Sequence, residues 1–313
     1  MVAQKSRNRY VRCMIITKWQ INPREDHLSL LEALSLRVPA APNAFLRQLC
    51  KKQRVTIDNH VGQADSPVHV GATIVVKASQ RWQECLELSR IQPEQVLYED
   101  VQCLAIDKPA GLAIHRAHGH DDNLLWHVQD FLRLRKETFQ VAPIQRLDIG
   151  TSGIALFGKG HAAIGQLGKM IMAGEATKCY LALVNACVTM PGELNSAVPA
   201  KGGIKEALTR FRPIATVDDY TLLELELVTG RRHQIRYQLA TAGWPILGDT
   251  RYRGKSINGL DRPFLHCHHL SFPQPETGQA IDITCSLPDD LLTPLQTLGF
   301  AADLLSGPFL PAT

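Results

Sequence analysis

Alternating strand patterns constrain the fold of this chain more than any other feature. Residues 221–230 (TLLELELVTG) alternate between apolar and polar side chains and end on glycine, which is typical of a half-buried strand. Further strand patterns occupy residues 153–158 and 178–187, separated by a helical pattern at 162–174, and another helix is predicted over 233–243. Because strands and helices do not alternate regularly, the sequence predicts an α+β fold on a mixed, mostly antiparallel sheet.

The first 95 residues are organised separately. Residues 1–25 are basic and polar with little periodicity, which predicts a basic N-terminal arm. Residues 26–80 carry two helical patterns followed by short strand patterns, which predicts a small α/β unit. Residues 81–95 are interpreted as a connector. A chain of 313 residues is long enough for this unit and a second, larger domain.

The composition favours an ordinary cytoplasmic protein. Charged residues make up 20% of the chain, and the net charge of +4 permits a polyanionic partner without proving one. No secretory signal and no apolar stretch long enough to span a bilayer is found, so no membrane association is expected. The cysteines form no C-x-x-C pair and are interpreted as reduced core residues. The eight cysteines are at positions 13, 50, 85, 103, 179, 187, 267 and 285.

Metal and nucleotide cofactors are not expected from the local motifs. The histidine runs HRAHGH (115–120) and HCHH (266–269) have neither zincin nor zinc-finger spacing, which favours loop and strand-edge histidines over metal ligands. The glycines of residues 150–160 follow neither the dinucleotide-binding nor the P-loop pattern.

An aspartate near an arginine marks the stretch IQRLDIGTSG at 144–153. Asp148 follows Arg146 by two residues and precedes a Thr-Ser-Gly turn and an apolar run. The local sequence allows either a surface ion pair or a reactive aspartate held by an arginine.

Two other stretches carry groups suited to bind a base or an anion. Lys178 and Tyr180 share one face of a predicted strand, where an exposed tyrosine either stacks on a base or packs at the edge of the core. Arg231, Arg232 and Arg236 are predicted to open the helix after residue 230. Arg232 and Arg236 would then share a face, as a solvated basic surface or beside a phosphate or carboxylate.

Taken together, five blocks in order resemble the RluA-type family of RNA pseudouridine synthases. The second block resembles the family signature H-R-L-D-x-x-T-S-G, and the fourth resembles G-R-x-H-Q-I-R followed by G-D-x-x-Y. The match covers residues 96–290, which implies a pseudouridine synthase catalytic domain there and leaves 291–313 as a C-terminal tail. The blocks are VLYEDVQCLAIDKPAGLAIH, IQRLDIGTSGIALFGKG, KCYLALV, LVTGRRHQIRYQLATAGWPILGDTRY and RPFLHCHHLSFPQPETGQAIDITCSLPDDL.

Three positions depart from the family pattern. Gln145 stands in place of the first histidine of the signature, Arg232 in place of the commoner threonine, and Trp244 in place of a histidine. The aspartate, the tyrosine and the second arginine of the family pattern are retained. The departures are therefore expected to affect the choice of substrate rather than the chemistry.

Residues 26–80 resemble, more weakly, a small RNA-binding domain of a small-subunit ribosomal protein that is attached to many such synthases. The helix-turn-strand order of FLRQLCKKQRVTIDN and VHVGATIVV carries this resemblance, although Gly71-Ala72 replaces the usual Gly-Asp. An unrelated α/β cap is the alternative. The basic cluster of this unit is Arg47, Lys51, Lys52 and Arg54.

The resemblance implies an isomerase that converts uridine in RNA to pseudouridine and requires no metal or organic cofactor. It assigns Asp148 as the catalytic aspartate, Arg236 as its partner, and Tyr180 as a stacking platform for an extruded base. Arg146 would hold the RNA or fill the space left by the flipped nucleotide. The groups expected to contact phosphates are Lys178, Arg231, Arg232, Arg47, Lys51, Lys52 and Arg54.

The expected partner is RNA, either large-subunit rRNA or tRNA, and no obligate protein partner is inferred. Two other classes of protein remain as alternatives. One is an RNA-binding protein that kept the fold without the activity, which an altered Asp148, Tyr180 or Arg236 would indicate. The other is a glycoside hydrolase, which needs a second carboxylate that the fold would have to bring close to Asp148.

Overall fold

Four antiparallel strands and three helices build the first of the two units into which the chain folds. The computed structural model describes residues 15–78, 80–116, 119–200, 202–257 and 259–301. The first unit contains the chain up to residue 94 together with residues 130–138. Its sheet has the strand order β1-β4-β2-β3. The elements are β1 (Ile15–Gln20), α1 (Leu30–Arg37), α2 (Asn43–Lys51), β2 (Val55–Ile57), β3 (His60–Val61), β4 (Thr73–Ala78) and α3 (Gln80–Ser89).

Two segments of this unit are more ordered than the sequence predicts. Within the range 1–25, interpreted as an arm, residues 15–20 form β1 and pair along their whole length with β4. The connector predicted at 81–95 is largely helix α3, whose buried Trp82 donates a hydrogen bond from its indole to Thr17. Both segments are stabilised by contacts with other parts of the unit rather than by local sequence pattern, and residues 1–14 lie outside the described residues.

The second unit is built on a mixed sheet of ten strands. It contains residues 95–129 and 139–313. The strand order is β10-β13-β14-β9-β15-β8-β6-β5, with β16 paired to β15 and β7 paired to β8. Strands β11 (Val198–Ala200) and β12 (Gly203–Lys205) form a separate two-stranded sheet. The ten strands of the large sheet are β5 (Val96–Glu99), β6 (Cys103–Lys108), β7 (Val141–Pro143), β8 (Ser152–Lys159), β9 (Thr177–Val184), β10 (Gly192–Asn195), β13 (Leu208–Val217), β14 (Tyr220–Leu227), β15 (Leu265–Pro273) and β16 (Ala280–Thr284). Its helices are α4 (Leu124–Leu134), whose C-terminal end belongs to the first unit, α5 (His161–Ala173), α6 (Gln234–Thr241) and α7 (Asp289–Thr297).

The pairing pattern confirms the predicted α+β class. Strands β15 and β8 are parallel through His266–Ser152 and Cys267–Gly153, whereas the other strand pairs described in the large sheet, such as β9 with β14 and with β15, are antiparallel. Strands β8, β9 and β15 are neighbours in the middle of the sheet, so their side chains are almost all buried.

The C-terminal boundary also differs from the sequence prediction. Helix α7 begins at Asp289 and continues to Thr297, so residues 291–297 are not part of a tail. Leu291 and Leu295 are completely buried, which explains why the segment is helical in the folded protein.

Seven of the cysteines lie in the described part of the chain. Six of them are buried, as the core interpretation predicts, and Cys187 is exposed. In the same part of the chain, every helix falls short of the length and apolarity that a membrane crossing requires.

Candidate active site

A hydrogen-bonded turn between β7 and β8 presents Asp148. The backbone N–H of Thr151 donates to the Asp148 carbonyl at 3.0 Å, and the next carbonyl, of Ile149, accepts from the Gly111 N–H at 2.8 Å and from the Lys108 ammonium at 3.3 Å. The Lys-Pro-Ala-Gly block therefore holds the turn from behind. The Asp148 side chain keeps 22% of its surface exposed, so its carboxylate remains open to the cleft.

A glycine allows this turn to enter the centre of the sheet. Gly153 has a φ of +104°, and a Cβ there would lie 2.2 Å from the carbonyl oxygen of Cys267 on β15. Only a residue without a side chain fits between the two strands. The Thr-Ser-Gly motif thus fixes where Asp148 stands relative to β15.

Arg236 holds the carboxylate of Asp148 from the other side of the cleft. Its Nη1 donates to Asp148 Oδ2 at 3.3 Å. Its Nε and Nη2 donate to the two oxygens of Asp249 at 2.6 and 2.7 Å. Burial acts to lower the pKa of Arg236, but the two carboxylates outweigh it and raise that pKa. The guanidinium is therefore a fixed positive charge oriented by Asp249 and aimed at Asp148.

Asp249 is a site residue to which the sequence analysis assigned no role. It is 1% exposed, and its backbone follows Gly248, whose φ is +77°. Both residues lie within the G-D-x-x-Y motif, which could have indicated from the sequence that Asp249 belongs to the site. A glycoside hydrolase would need a second carboxylate close to Asp148, and Asp249 is an acid that the fold brings near it. Both its oxygens are engaged by Arg236, so it serves as a counter-ion rather than as a free second carboxylate.

Tyr180 lies on β9 opposite Cys267 of β15, and it is buried rather than exposed. Of the two alternatives that the sequence left open, the burial agrees with a tyrosine that packs against the core. It is 4% exposed, on a central strand of the sheet. Burial is the main cause that raises the pKa of Tyr180 well above 10, and Cys267 and Asp148 act in the same direction. The hydroxyl is consequently protonated at neutral pH.

Two overlapping clefts surround these groups. A cleft of about 340 Å³ is lined by Asp148, Tyr180, Arg236 and His233, among others. A second cleft of about 730 Å³ shares Asp148 and Tyr180 with the first. The side chains common to both clefts are Arg146, Asp148, Tyr180, Leu227 and Arg231. The aspartate and the tyrosine therefore lie where the two spaces meet.

Basic side chains line the larger cleft. Arg146 is exposed there, as are Arg231 and Arg232. Lys178 also lines it but is only 6% exposed, and burial lowers the pKa of its ammonium. The structure thus gathers four of the predicted phosphate-binding or RNA-holding groups around one opening.

The predicted placement of Arg232 on a shared helix face with Arg236 is wrong. Helix α6 begins at Gln234, with His233 in the left-handed conformation at its N-cap. Arg231 and Arg232 precede the helix, and the Gln234 side chain accepts a hydrogen bond from the Arg231 N–H at 3.0 Å. Arg232 is exposed, whereas Arg236 points inward to the carboxylates.

Of the other residues singled out from the sequence, Gln145 lines the larger cleft together with Asp148. Gln145 is 8% exposed and donates to the Ile154 carbonyl at 2.8 Å. Trp244 packs edge-on against Phe211, with ring centroids 5.4 Å apart. The four basic residues of the first unit, Arg47, Lys51, Lys52 and Arg54, are all exposed on or after helix α2.

The histidines of HCHH lie on β15 and each contacts a different polar group. His266 hydrogen-bonds to Ser152, His268 contacts Glu224 at 3.0 Å, and His269 contacts Asp282. The interpretation as a strand segment is confirmed.

Comparison with known proteins decides the family. Residues 102–241 match the sequence model of the RNA pseudouridylate synthases. The chain is also 30% identical over 276 residues to the ribosomal large subunit pseudouridine synthase D of Pseudomonas aeruginosa, an alignment that covers 79% of this chain and 85% of that protein. The chain belongs to the RluA-type RNA pseudouridine synthases. It is accordingly an RNA isomerase, and neither a non-catalytic RNA-binding protein nor a glycoside hydrolase.

Other relatives of the synthase agree. The ribosomal large subunit pseudouridine synthase C of Escherichia coli O157:H7 is 28% identical over 319 residues, covering 92% of this chain and 97% of that protein. The solved structure of human RNA pseudouridylate synthase domain containing 4 has a TM-score of 0.57 at 20% identity and covers 68% of this chain and 94% of that one. That structure confirms the fold of the catalytic domain.

Proposed function

We propose that the synthase converts a uridine of large-subunit ribosomal RNA to pseudouridine, with Asp148 as the reactive carboxylate. The observation that carries the proposal is the Asp148 carboxylate in the cleft, bonded by an arginine that a second aspartate fixes in place. An arginine cannot lose its proton under these conditions, so it never competes as an acid.

The isomerisation requires a group that tolerates developing positive charge at the sugar. The bond between N1 and C1′ breaks, a bond between C1′ and C5 forms, C5 releases a proton, and N1 gains one. A carboxylate suits such a centre, either by adding to C1′ or by stabilising its oxocarbenium character. Asp148 is the ionisable acid that lines both clefts, next to Tyr180.

Base flipping follows from the burial of these groups. A uridine stacked in an RNA helix cannot bring its sugar to a carboxylate that is only 22% exposed. Extruding the nucleotide costs a few kcal/mol. Contact between the base and the Tyr180 ring, which lines both clefts, offsets part of that cost, because base–aromatic stacking contributes about 1–3 kcal/mol. Arg146, exposed at the junction of the clefts, is placed to occupy the gap or to hold the strand.

Phosphate contacts are proposed for the basic groups of both units. In the catalytic domain they are Lys178, Arg231 and Arg232, around the larger cleft. In the first unit the exposed cluster from Arg47 to Arg54 supports an RNA-binding role, in line with the resemblance of residues 26–80 to a ribosomal RNA-binding domain. Such contacts depend on salt because each one releases counterions.

The choice of ribosomal RNA over tRNA rests on the relatives. The Pseudomonas and Escherichia proteins carry the large ribosomal subunit in their names. A cytoplasmic location is proposed together with that substrate. No feature of the described residues favours tRNA.

The test is a single substitution with a matched control. Asp148→Asn keeps the size of the side chain and removes its charge, and Asp219→Asn makes the same change at the exposed turn between β13 and β14. Purified protein is incubated with unmodified large-subunit rRNA, and pseudouridine is mapped.

We expect at least a 1,000-fold lower rate for Asp148→Asn, in the range seen when a reacting group is removed, with RNA affinity retained. Asp219→Asn should match the wild type. Pseudouridine formation by pure Asp148→Asn at the wild-type rate would exclude Asp148 from the chemistry. Wild-type activity on tRNA but not on rRNA would overturn the proposed substrate.

A further inference from the structure

His233 is the histidine of the G-R-x-H motif, and it has no role in the function proposed above. It is a non-glycine residue with a left-handed φ of 55°, at the N-cap of α6. This conformation is unfavourable for a residue with a Cβ and persists where surrounding contacts impose it. The turn directs the half-buried imidazole into the smaller cleft beside Asp148.

Both ring nitrogens of His233 face oxygen atoms. Nε2 lies 3.7 Å from Oδ1 of Asp148, the oxygen that does not receive Arg236. Nδ1 lies 3.0 Å from the hydroxyl of Tyr252, and the two rings are nearly perpendicular, with centroids 5.8 Å apart. The three side chains form a line from Tyr252 through His233 to Asp148.

The Asp148 carboxylate and the Tyr252 hydroxyl together determine which nitrogen of His233 carries the proton. A carboxylate only accepts hydrogen bonds, so the contact with Asp148 favours the tautomer with its proton on Nε2. Nδ1 then has a lone pair and accepts from the Tyr252 hydroxyl, which is able to donate. A neutral imidazole in this tautomer accepts the hydrogen bond from Tyr252 and directs its Nε2 proton toward Asp148.

The charges around His233 favour its neutral form. Burial is the main cause that lowers its pKa below 6.5, and Arg236, Arg251 and Arg232 act in the same direction, while Asp148 opposes them. Tyr252 is the other titratable group that contacts the ring. At neutral pH the imidazole therefore holds one proton, as the line requires.

We infer that Tyr252 and His233 form a hydrogen-bonded relay that orients the Asp148 carboxylate for reaction. The inference rests on the proposed function. Arg236 donates to Oδ2 and His233 faces Oδ1, so the N-terminal end of α6 presents one group to each oxygen of the carboxylate. The contact at 3.7 Å is expected to shorten when the nucleotide excludes water, as catalytic hydrogen bonds often do on substrate binding. His233 and Tyr252 are positioning residues, since neither is argued to touch the reacting atoms.

Tyr252→Phe removes one hydroxyl from the relay and keeps the ring. Tyr237→Phe is the matched control, because the Tyr237 ring packs edge-on against Tyr252 at 6.3 Å and has no place in the relay. The rate of a single turnover and the half-saturating concentration of rRNA are measured for each. We expect Tyr252→Phe to lower the rate about tenfold with half-saturation within twofold of the wild type, because misplacing a reactive group reduces the rate more than binding. Tyr237→Phe should be unchanged.

The pH profile separates positioning from a purely structural role. Because the pKa of His233 lies below 6.5, the ring gains its second proton only at acidic pH, where it becomes a cation that forms an ion pair with the Asp148 carboxylate. The wild-type rate should therefore be constant above pH 6.5 and decline at lower pH. His233→Gln cannot titrate, so its rate should be lower than that of the wild type at pH 7.5 and show no decline over this range.

The outcomes are distinguishable. Wild-type rates and an unchanged pH profile in both relay variants would overturn the inference while the synthase remains active. If His233→Gln fails to melt cooperatively, Tyr252→Phe alone decides, and a rate within twofold of the wild type overturns the relay. A wild-type protein without activity on rRNA would overturn the proposed function itself, and the relay with it.

Discussion

The sequence identifies Arg236 as the partner of Asp148, but it does not reveal that Asp249 holds Arg236 in place. The family pattern pairs Asp148 with Arg236, and the structure places them 3.3 Å apart. The shorter bonds of Arg236 go to Asp249, as a two-pronged ion pair. Pairing of this kind needs the planar guanidinium, so lysine is no substitute at this position. The separation of Asp249 from Arg236 along the chain gave no local pattern from which to predict the contact.

Tyr180→Phe tests whether the hydroxyl takes part in proton transfer. The phenylalanine keeps the ring against which a base would pack, so RNA affinity should stay within twofold. A general acid or base contributes about 10²–10⁴ to a rate, so we expect the single-turnover rate to fall at least tenfold. The raised pKa of Tyr180 means that the hydroxyl enters the cycle protonated. A wild-type rate for Tyr180→Phe would exclude the hydroxyl from the chemistry.

The burial of individual side chains is what the sequence predicts least well. Tyr180 and Lys178 share a strand face as predicted, yet they are 4% and 6% exposed. Alternation along β9 shows which residues share a face. It does not show how deeply each face of the sheet is buried, because that depends on packing between segments far apart in the sequence.

At the level of elements, the patterned segments were predicted well. The predicted strand at 221–230 is β14, and the predicted helix at 162–174 is α5 within one residue at each end. Strand β1 and helices α3 and α7 were missed in whole or in part. They are short or weakly patterned segments that owe their structure to tertiary contacts, as in the pairing of β1 with β4.

His266, at the start of β15, should make the free energy of unfolding depend on pH. His266 is completely buried, accepts from Ser152 through Nδ1 at 2.9 Å, and donates from Nε2 to the Cys285 carbonyl at 3.2 Å. Burial lowers its pKa to about 3, and His268 and Arg262 act in the same direction. Both nitrogens of the neutral ring are hydrogen-bonded, and a second proton would occupy the Nδ1 lone pair that accepts from Ser152.

The sign of the pH effect follows from these two states. In the unfolded chain a histidine has a pKa of about 6.5, so between pH 6.5 and 3 the unfolded chain binds the extra proton. The free energy of unfolding should fall with decreasing pH over this window, by up to about 1.4 kcal/mol per pH unit from this residue. Denaturant unfolding at several pH values should give a flatter slope for His266→Gln than for the wild type. His161→Gln, an exposed control, should keep the wild-type slope, and equal slopes in all three proteins would contradict the account.

At the level of the whole molecule, the order of the strands was beyond prediction. The sequence placed Asp148, Tyr180 and Arg236 in three separate blocks. The sheet order β14-β9-β15-β8 brings the first two together, and helix α6, which follows β14 in the chain, adds the third. Only the resemblance to a family predicted this convergence, because strand order is decided by contacts far apart in sequence.

RNA binding by the first unit should appear in the dependence of affinity on salt. Arg47→Gln with Lys51→Gln removes two exposed charges one turn apart on α2. Each phosphate contact contributes about 0.7–0.9 to the slope of log affinity against log salt. We expect the double variant to reduce that slope by about 1.5 and to leave the single-turnover rate at saturating RNA unchanged. Lys136→Gln, an exposed control in the same unit, should not change the slope, and an unchanged slope in the double variant would remove this cluster from the RNA interface.

The central claim is that Asp148 performs the isomerisation of a ribosomal uridine. The direct measurement is a map of pseudouridine in the total RNA of cells that lack this gene, complemented with either the wild type or Asp148→Asn. We predict that deletion removes pseudouridine from large-subunit rRNA, that the wild type restores it, and that Asp148→Asn at equal abundance does not. Restoration by Asp148→Asn, or a map of large-subunit rRNA that deletion leaves unchanged, would contradict the account.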